Sequence, residues 1–411
     1  MAAGLLFAPF RGLRYADPAT LAVRLAPPYD VIDAELRRQL SRQDRANIVH
    51  VDLPVAPPGD DPYEGAAQLL QVWQRAGILV RDAEPTAYVL RTTTHLEDGT
   101  ELRRTGVFLA VAAIPFAPGS RVRPHERTHA GPKEDRRRLT LATGCNLSPV
   151  FLLAPDDGGA LAAELASITA EAPWAVAEAL GGTHEVWIVP GPRALRVATL
   201  ASDAPVYIAD GHHRFETAVR FRDEAPKAWK QGAQRTLAHV VSFRDPGLRI
   251  LPTHRIVEGR ALERAAVLQA ANPVFARALP EQRPSLTVVF ADGTEAPMLL
   301  RPEADLSSVA ELPQHPAVRG LPVAQTDAVF LNTVLRGLIG RAPSLRYTPS
   351  EAEARKAVAE GRAALAVLVP PTTLEEVRAV SDAGEFMPPK STYFAPKVPT
   401  GVAMRLFEGE V

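Results

Sequence analysis

The stretch Val206-Tyr-Ile-Ala-Asp210-Gly211-His212-His213-Arg214-Phe215-Glu216 turns from apolar to polar and basic within a few residues. Val206 to Ala209 reads as a short buried strand, Asp210 and Gly211 stop it, and Thr217 to Glu224 continue as helix. A helix that opens directly after a strand presents unpartnered N–H groups at the positive end of its dipole. A phosphate placed there meets backbone donors. Gly211 admits close approach, and His212, His213 and Arg214 add side-chain donors within one turn. Three roles are open to Asp210: accepting a hydrogen bond, holding a magnesium ion, or capping the helix. The plain alternative is an N-cap, a turn glycine and two ordinary histidines.

Outward from this junction, Pro149–Ala154, Glu185–Val189, Ala238–Phe243 and Arg249–Pro252 have the pattern of strands, and residues 155–180 that of helix. Upstream, Asp61-Pro62-Tyr63-Glu64 opens a helix, with Asp61 as N-cap, Pro62 in the first turn and Gly77 as terminator. Tyr88–Thr94 and Thr105–Val111 flank an Asp98-Gly99 turn as a hairpin. Downstream, helices near 261–271, 325–338 and 350–360 alternate with a hairpin at Asp292-Gly293 and a strand at 363–369. The fold class expected is α+β with mixed sheets. Its segments are 1–104, a central 105–257 and a C-terminal 258–411.

The 411 residues are 46% hydrophobic and 23% charged, which excludes disordered, collagen-like and coiled-coil chains. Lysine occurs six times against 40 arginines (46 minus 6), a bias of genome composition rather than of function. A net charge of −1 gives no general attraction for nucleic acid or acidic membranes. The lone Cys145 makes no internal disulfide and no thiolate-based zinc site, as suits a reducing cytoplasm. No run of apolar residues is long enough to span a bilayer, and the N-terminus lacks the basic start of a signal peptide.

A second constellation is Arg123-Pro-His125-Glu126-Arg127-Thr128-His129. It contains His-Glu-x-x-His, which binds zinc when both histidines share one face of a stable helix. Gly131-Pro132 follows at once and argues against that helix. The other reading is a Pro-His-Glu turn presenting Glu126 as a general base, with a solvated loop as the plain alternative. Lys133, Asp135 and Arg136 are equally available for ligand contacts or for none. Thr253-His254-Arg255 follows a strand, where substrate-binding residues collect. Lys390 and Lys397 flank Ser-Thr-Tyr-Phe and can neutralise phosphate charge. There is no P-loop and no Gly-x-Gly-x-x-Gly.

Ala26-Pro-Pro-Tyr-Asp-Val-Ile32, Asp210–Glu216, Leu251-Pro-Thr-His-Arg255 and Lys390-Ser-Thr-Tyr-Phe394 resemble an uncharacterised prokaryotic family, the domain of unknown function numbered one thousand and fifteen, over nearly the whole chain. More remotely, residues 105–255 resemble the free-serine kinases of the ParB/sulfiredoxin-like superfamily. That resemblance implies a ParB/sulfiredoxin-like central domain, with Glu126 as base for a serine hydroxyl. It implies that Asp210, Gly211, His212, His213 and Arg214 bind nucleotide phosphates and assist transfer. His212 stands where sulfiredoxin has its cysteine, so sulfiredoxin chemistry is excluded. The two motifs lie about 85 residues apart, which implies a large insertion.

The function expected is nucleotide-dependent phosphoryl transfer to a small hydroxyl substrate, free serine favoured, with ATP or ADP and Mg2+. Glu126, Asp210 and His213 are the expected catalytic residues. Gly211, His212, Arg214, Lys390 and Lys397 hold phosphates, and His125, Thr253, His254 and Arg255 hold the substrate. Asp210 is the magnesium candidate, and a homodimer is left open. The other classes weighed are a nucleotide-binding regulator without turnover and an HExxH zinc hydrolase. The purified protein is expected to hold no stoichiometric zinc. Elemental analysis that finds one tight zinc per chain, lost in His129→Ala, revives the hydrolase.

Overall fold

The computed structural model describes residues 4–128, 130–307, 309 and 311–410, and the chain divides into two compact units. Unit 1 comprises residues up to Pro124, Thr128–Leu248 and Pro396 onward, and unit 2 comprises His125–Arg127 and Arg249–Ala395. The expected joint near 105 therefore falls inside a strand, because the two arms of the hairpin pair along their length. Unit 2 resumes at Arg249, nine residues before the expected 258, and the last residues return to unit 1.

Unit 1 is built on a nine-stranded mixed sheet among the described residues. In chain order its strands are β1 (Phe7–Ala8), β2 (Thr86–His95), β3 (Glu101–Ala112), β4 (Val122–Arg123), β5 (Val150–Ala154), β6 (Ala175–Ala179), β7 (Gly182–Pro190), β8 (Val206–Asp210) and β9 (Arg235–Ser242). They lie in the order β4-β8-β5-β9-β3-β2-β7-β6, with β1 beside β3. The β4–β8 and β5–β9 pairs are parallel and the others antiparallel. The α+β reading with mixed sheets holds.

Alternate residues face the main core: Val107, Leu109, Val150, Leu152, Val206, Ile208, Ala238 and Val240. Helices α3 (Ala160–Ile168), α4 (Gly191–Ala201) and α5 (His212–Glu224) supply Leu161, Leu165, Val197, Ala198 and Phe215 to that core. Two more helices, α1 (Pro62–Arg75) and α2 (Ala130–Thr143), precede them. In α1 the Asp61 carboxylate accepts from Tyr63 N, Pro62 stands in the first turn, and Gly77 follows at φ +70.

The helix expected over 155–180 is confined to α3. Pro173 cannot donate within a helix, and beyond it Ala175 and Ala177 are buried while Val176 is 57% exposed, the period-two pattern of strand β6.

Unit 2 contains a six-stranded sheet among the described residues, formed by β11 (His254–Val257), β12 (Phe275–Arg277), β13 (Leu286–Val289), β14 (Glu295–Leu300), β15 (Leu345–Thr348) and β16 (Leu365–Leu368). A separate ribbon pairs β10 (Arg249–Leu251) with β17 (Tyr393–Ala395). The helix expected near 325–338 is π-wound over Gln325–Leu335.

The C-terminal segment is stitched into unit 1. Thr400 bridges Ala26, Met404 bridges Leu13, and buried Arg405 donates to the carbonyls of Gly232 and Arg235 at 2.8 Å each. Gly232 permits this: a Cβ there would lie 2.1 Å from the Phe407 carbonyl oxygen. Gly232→Ala is expected to destabilise the protein by about 1–3 kcal/mol, the usual cost of forcing a methyl into a packed site. A urea midpoint unchanged at constant slope would show that the segment yields freely.

Candidate functional site

Strand β8 carries one residue too many. Tyr207 pairs with Leu153 and Ile208 with Leu152, but Asp210, not Ala209, pairs with Phe151. Val206 and Ile208 face the apolar core, so regular alternation would point Asp210 there as well. The bulge at Ala209 shifts the register by one and puts Asp210 on the opposite face, in a row with Phe151, His239, Phe108 and Tyr88. Gly211 follows at φ +89, a conformation open to glycine at little cost, and α5 starts at His212. A Cβ on Gly211 would lie 3.0 Å from Arg214 Nε, so the turn is also tightly covered by its own helix.

The Asp210 carboxylate is tied at both oxygens. Oδ1 accepts from Gly211 N at 2.7 Å, and Oδ2 accepts from Lys397 Nζ at 3.0 Å. Arg214 Nη2 stands 3.7 Å from Oδ1, and its Nη1 donates to the Pro149 carbonyl. Burial works against the ionised carboxyl, but Lys397 and Arg214 outweigh it and hold Asp210 below the usual carboxylate range. Burial likewise opposes the Arg214 charge, and Asp210, Asp30, Tyr29 and Asp52 more than restore it.

Behind the turn, Arg136 Nη1 donates to Asp52 at 3.2 Å, Ser148 donates to the same carboxylate, and the Arg136 guanidinium sits 4.1 Å over the Tyr29 ring. A cavity of about 40 Å³ touches Asp52, Arg136, Ser148 and Arg214. It has room for a few waters and none for a nucleotide. At the far end of the motif, Glu216 accepts from Lys133 Nζ at 3.1 Å and from Thr128. Burial raises the Glu216 carboxyl, but these two donors bring it down on balance.

The family model for a protein of unknown function, DUF1015, matches residues 7–325. The chain belongs to the DUF1015 family. No curated protein matches it. Among solved structures, a free serine kinase in complex with AMP is 14% identical with a TM-score of 0.37, the match covering 72% of this chain and 91% of that one. A free serine kinase mutant in complex with ADP gives 14%, a TM-score of 0.38, and 72% and 92%. SbnI with a C-terminal truncation, from Staphylococcus aureus, gives 12%, a TM-score of 0.37, and 73% and 87%.

In this DUF1015 chain the expected site residues fall into both units. Asp210, Gly211, His212, His213, Arg214 and Lys397 belong to unit 1, and His125, Glu126, Thr253, His254, Arg255 and Lys390 to unit 2. Within unit 1 the helix start is less open than its sequence suggests. His212 is buried, His213 is half-buried, and Arg214 is engaged by the Pro149 carbonyl. Lys397 pairs with Asp210 directly, while Lys390 is exposed at φ +59. The roles of Tyr29, Asp52 and Pro149 were not foreseen. The Pro27-Pro28-Tyr29-Asp30 turn was the visible signal for the first, and nothing local marked the others.

Within unit 2, His125 Nε2 lies 3.0 Å from Thr392 Oγ1 and 3.9 Å from Glu126 Oε1. The His254 ring accepts from Val369 N at 3.2 Å, and Arg255 forms a bidentate pair with Asp327 at 2.9 and 3.0 Å. Residues 125–128 are not helical, and His129 lies outside the described residues. Gly131 and Pro132 stand at the beginning of α2 rather than ending a helix, since a missing N–H costs nothing in a first turn.

A resident magnesium does not fit Asp210. Both its oxygens are taken, two cations crowd it, and no group of three potential ligands occurs among the described residues. Lys397→Met should cost ~3 kcal/mol at neutral pH, the lower end for breaking a buried pair, since each side chain is 18% exposed. Because the folded state depresses the Asp210 carboxyl, the pair's contribution is complete above the unfolded carboxylate range and disappears as pH falls through the folded value. The gap between parent and variant should therefore narrow in acid. A pH-independent gap in urea titrations would contradict the assignment.

Proposed function

We propose that the β8–α5 junction binds the phosphates of ATP or ADP and that the protein transfers a phosphoryl group to a small hydroxyl compound, free serine being favoured. The observation that carries this reading is the bulge that brings Asp210 out of the core register onto Lys397, directly before a glycine-opened helix of 13 residues. Phosphoryl transfer asks a protein mainly for position and counter-charge. The α5 N–H groups and His213 are donors for the phosphate oxygens, and Asp210 fixes the Lys397 ammonium beside them. Arg214, held by the Pro149 carbonyl, shapes the turn.

In this reading the acceptor hydroxyl attacks the terminal phosphorus and the phosphoanhydride bond breaks. The products are the phosphorylated acceptor and ADP from ATP, or AMP from ADP. Glu126 takes the hydroxyl proton, a role given to it by the motif resemblance.

Calorimetric titration with ATP and ADP tests the phosphate site. His213→Ala should bind about ten- to a hundred-fold more weakly, the size of one charge-assisted hydrogen bond, with an unchanged melting temperature. Equal affinities in parent and variant remove His213 from the site. No binding in the parent sinks the reading. Glu126→Gln should keep nucleotide affinity while label transfer to serine falls by about 10²–10⁴. Nucleotide binding with no serine-dependent turnover in the parent makes the protein a regulator instead.

A further inference from the structure

Arg104 stands on β3 at the parity of Gly106 and Phe108, on the face that the bulge gives to Asp210. It is 1% exposed. Nη1 donates to the Pro396 carbonyl, while Nε and Nη2 are buried without a hydrogen-bond partner among the described residues. Those two nitrogens form the edge of the guanidinium that grips both oxygens of a planar oxyanion. A buried guanidinium with two unmet donors calls for a bound group, because a chain without such a use would fill the position with an apolar residue.

The position of that edge is fixed twice over. Arg104 Cζ lies 4.6 Å over the Phe151 ring, and Phe151 is the cross-strand partner of Asp210. Pro396, which holds Nη1, precedes Lys397, which holds Asp210. Burial pulls Arg104 down to about 10, with Asp245 only partly opposing it. The Asp245 oxygens already accept from Thr105 N and Gly247 N at 2.9 Å each. The surroundings are aromatic: Phe108 and Phe151 pack on His239 at 4.8 and 5.8 Å between ring centres. One guanidinium among rings suits a singly charged, flat carboxylate, whereas a phosphate is better served by the N–H groups at the start of α5.

We infer that the Nε–Nη2 edge of Arg104 docks the carboxylate of the acceptor, which makes the acceptor a hydroxy acid or hydroxy amino acid and not a simple alcohol. The naming of this ligand as acceptor rests on the phosphotransfer reading above.

The test compares L-serine with serinamide, which lacks the carboxylate charge, by calorimetry on the full chain with and without ADP. The expected result is that serine binds about ten- to a hundred-fold more tightly than serinamide. Arg104→Gln and Arg104→Lys should abolish that preference and leave ADP affinity unchanged. Arg104→Lys keeps the charge without the fork and decides alone if Arg104→Gln does not fold. Equal binding of serine and serinamide, no serine binding by the parent, or a preference that survives substitution overturns the inference. Loss of ADP binding with serine binding intact assigns the edge to a nucleotide phosphate and overturns it too. Failure of the phosphotransfer reading shows separately, as absence of ADP binding and label transfer in the parent.

Discussion

Burying the Asp210 carboxylate is tolerable because Lys397 reaches it from 187 positions away in the sequence. An uncompensated carboxylate at that depth would protonate or push its strand out of register. The rest of the junction follows from that pairing. The bulge at Ala209 is needed to aim the carboxylate away from the apolar core, and Gly211 is needed to enter the helix immediately afterwards. The C-terminal segment must be fixed in unit 1 so that the lysine is presented at all, which Arg405 and the bare Gly232 accomplish.

The motif Asp210–Glu216 divides its work between scaffold and surface. Phe215 is fully buried in the main core, His212 is buried, and Arg214 is secured by the Pro149 carbonyl. The acids at its two ends each hold a lysine, Lys397 on Asp210 and Lys133 on Glu216. The side chains of this run thus also hold one backbone turn still, through the Phe215 packing, the Pro149 carbonyl on Arg214 and the two lysines. Unit 2 has a comparable tie at Arg255, whose bidentate pair with Asp327 joins a strand to a π-wound helix.

Local pattern made several elements legible: the cap and apolar spacing of α1, the β2–β3 hairpin, and the strand–glycine–helix junction itself. What lay outside its reach were relations between distant residues. Nothing near Ala209 announces a bulge, since an extra residue in a strand of alternating character reads as ordinary strand. Pairing of Lys397 with Asp210 is a tertiary fact, and the sequence around Lys390 and Lys397 does not tell which carboxylate either meets. At 155–180 the helical pattern hides Pro173 and the alternation around Val176, which mark the end of the helix and the start of a strand. Arg103 and Arg104 are indistinguishable in sequence. Only the register of β3 sends the first to the surface and the second inside.

The choice between lysine and arginine on this face is a physical one. Asp210 needs a compact charge that approaches one oxygen while the other stays on the Gly211 N–H, and an ammonium does this without imposing a plane. A fork at position 397 would compete with Arg214 and Gly211 for both oxygens and disturb the turn. Over Phe151 the requirement is reversed: a flat, delocalised cation stacks on the ring and still offers a two-pronged edge at its rim, which an ammonium cannot do. In a chain with 40 arginines and six lysines, the lysine at 397 is thus the residue that departs from the composition for a local reason. Arg104 obeys the composition and is distinguished only by where β3 places it.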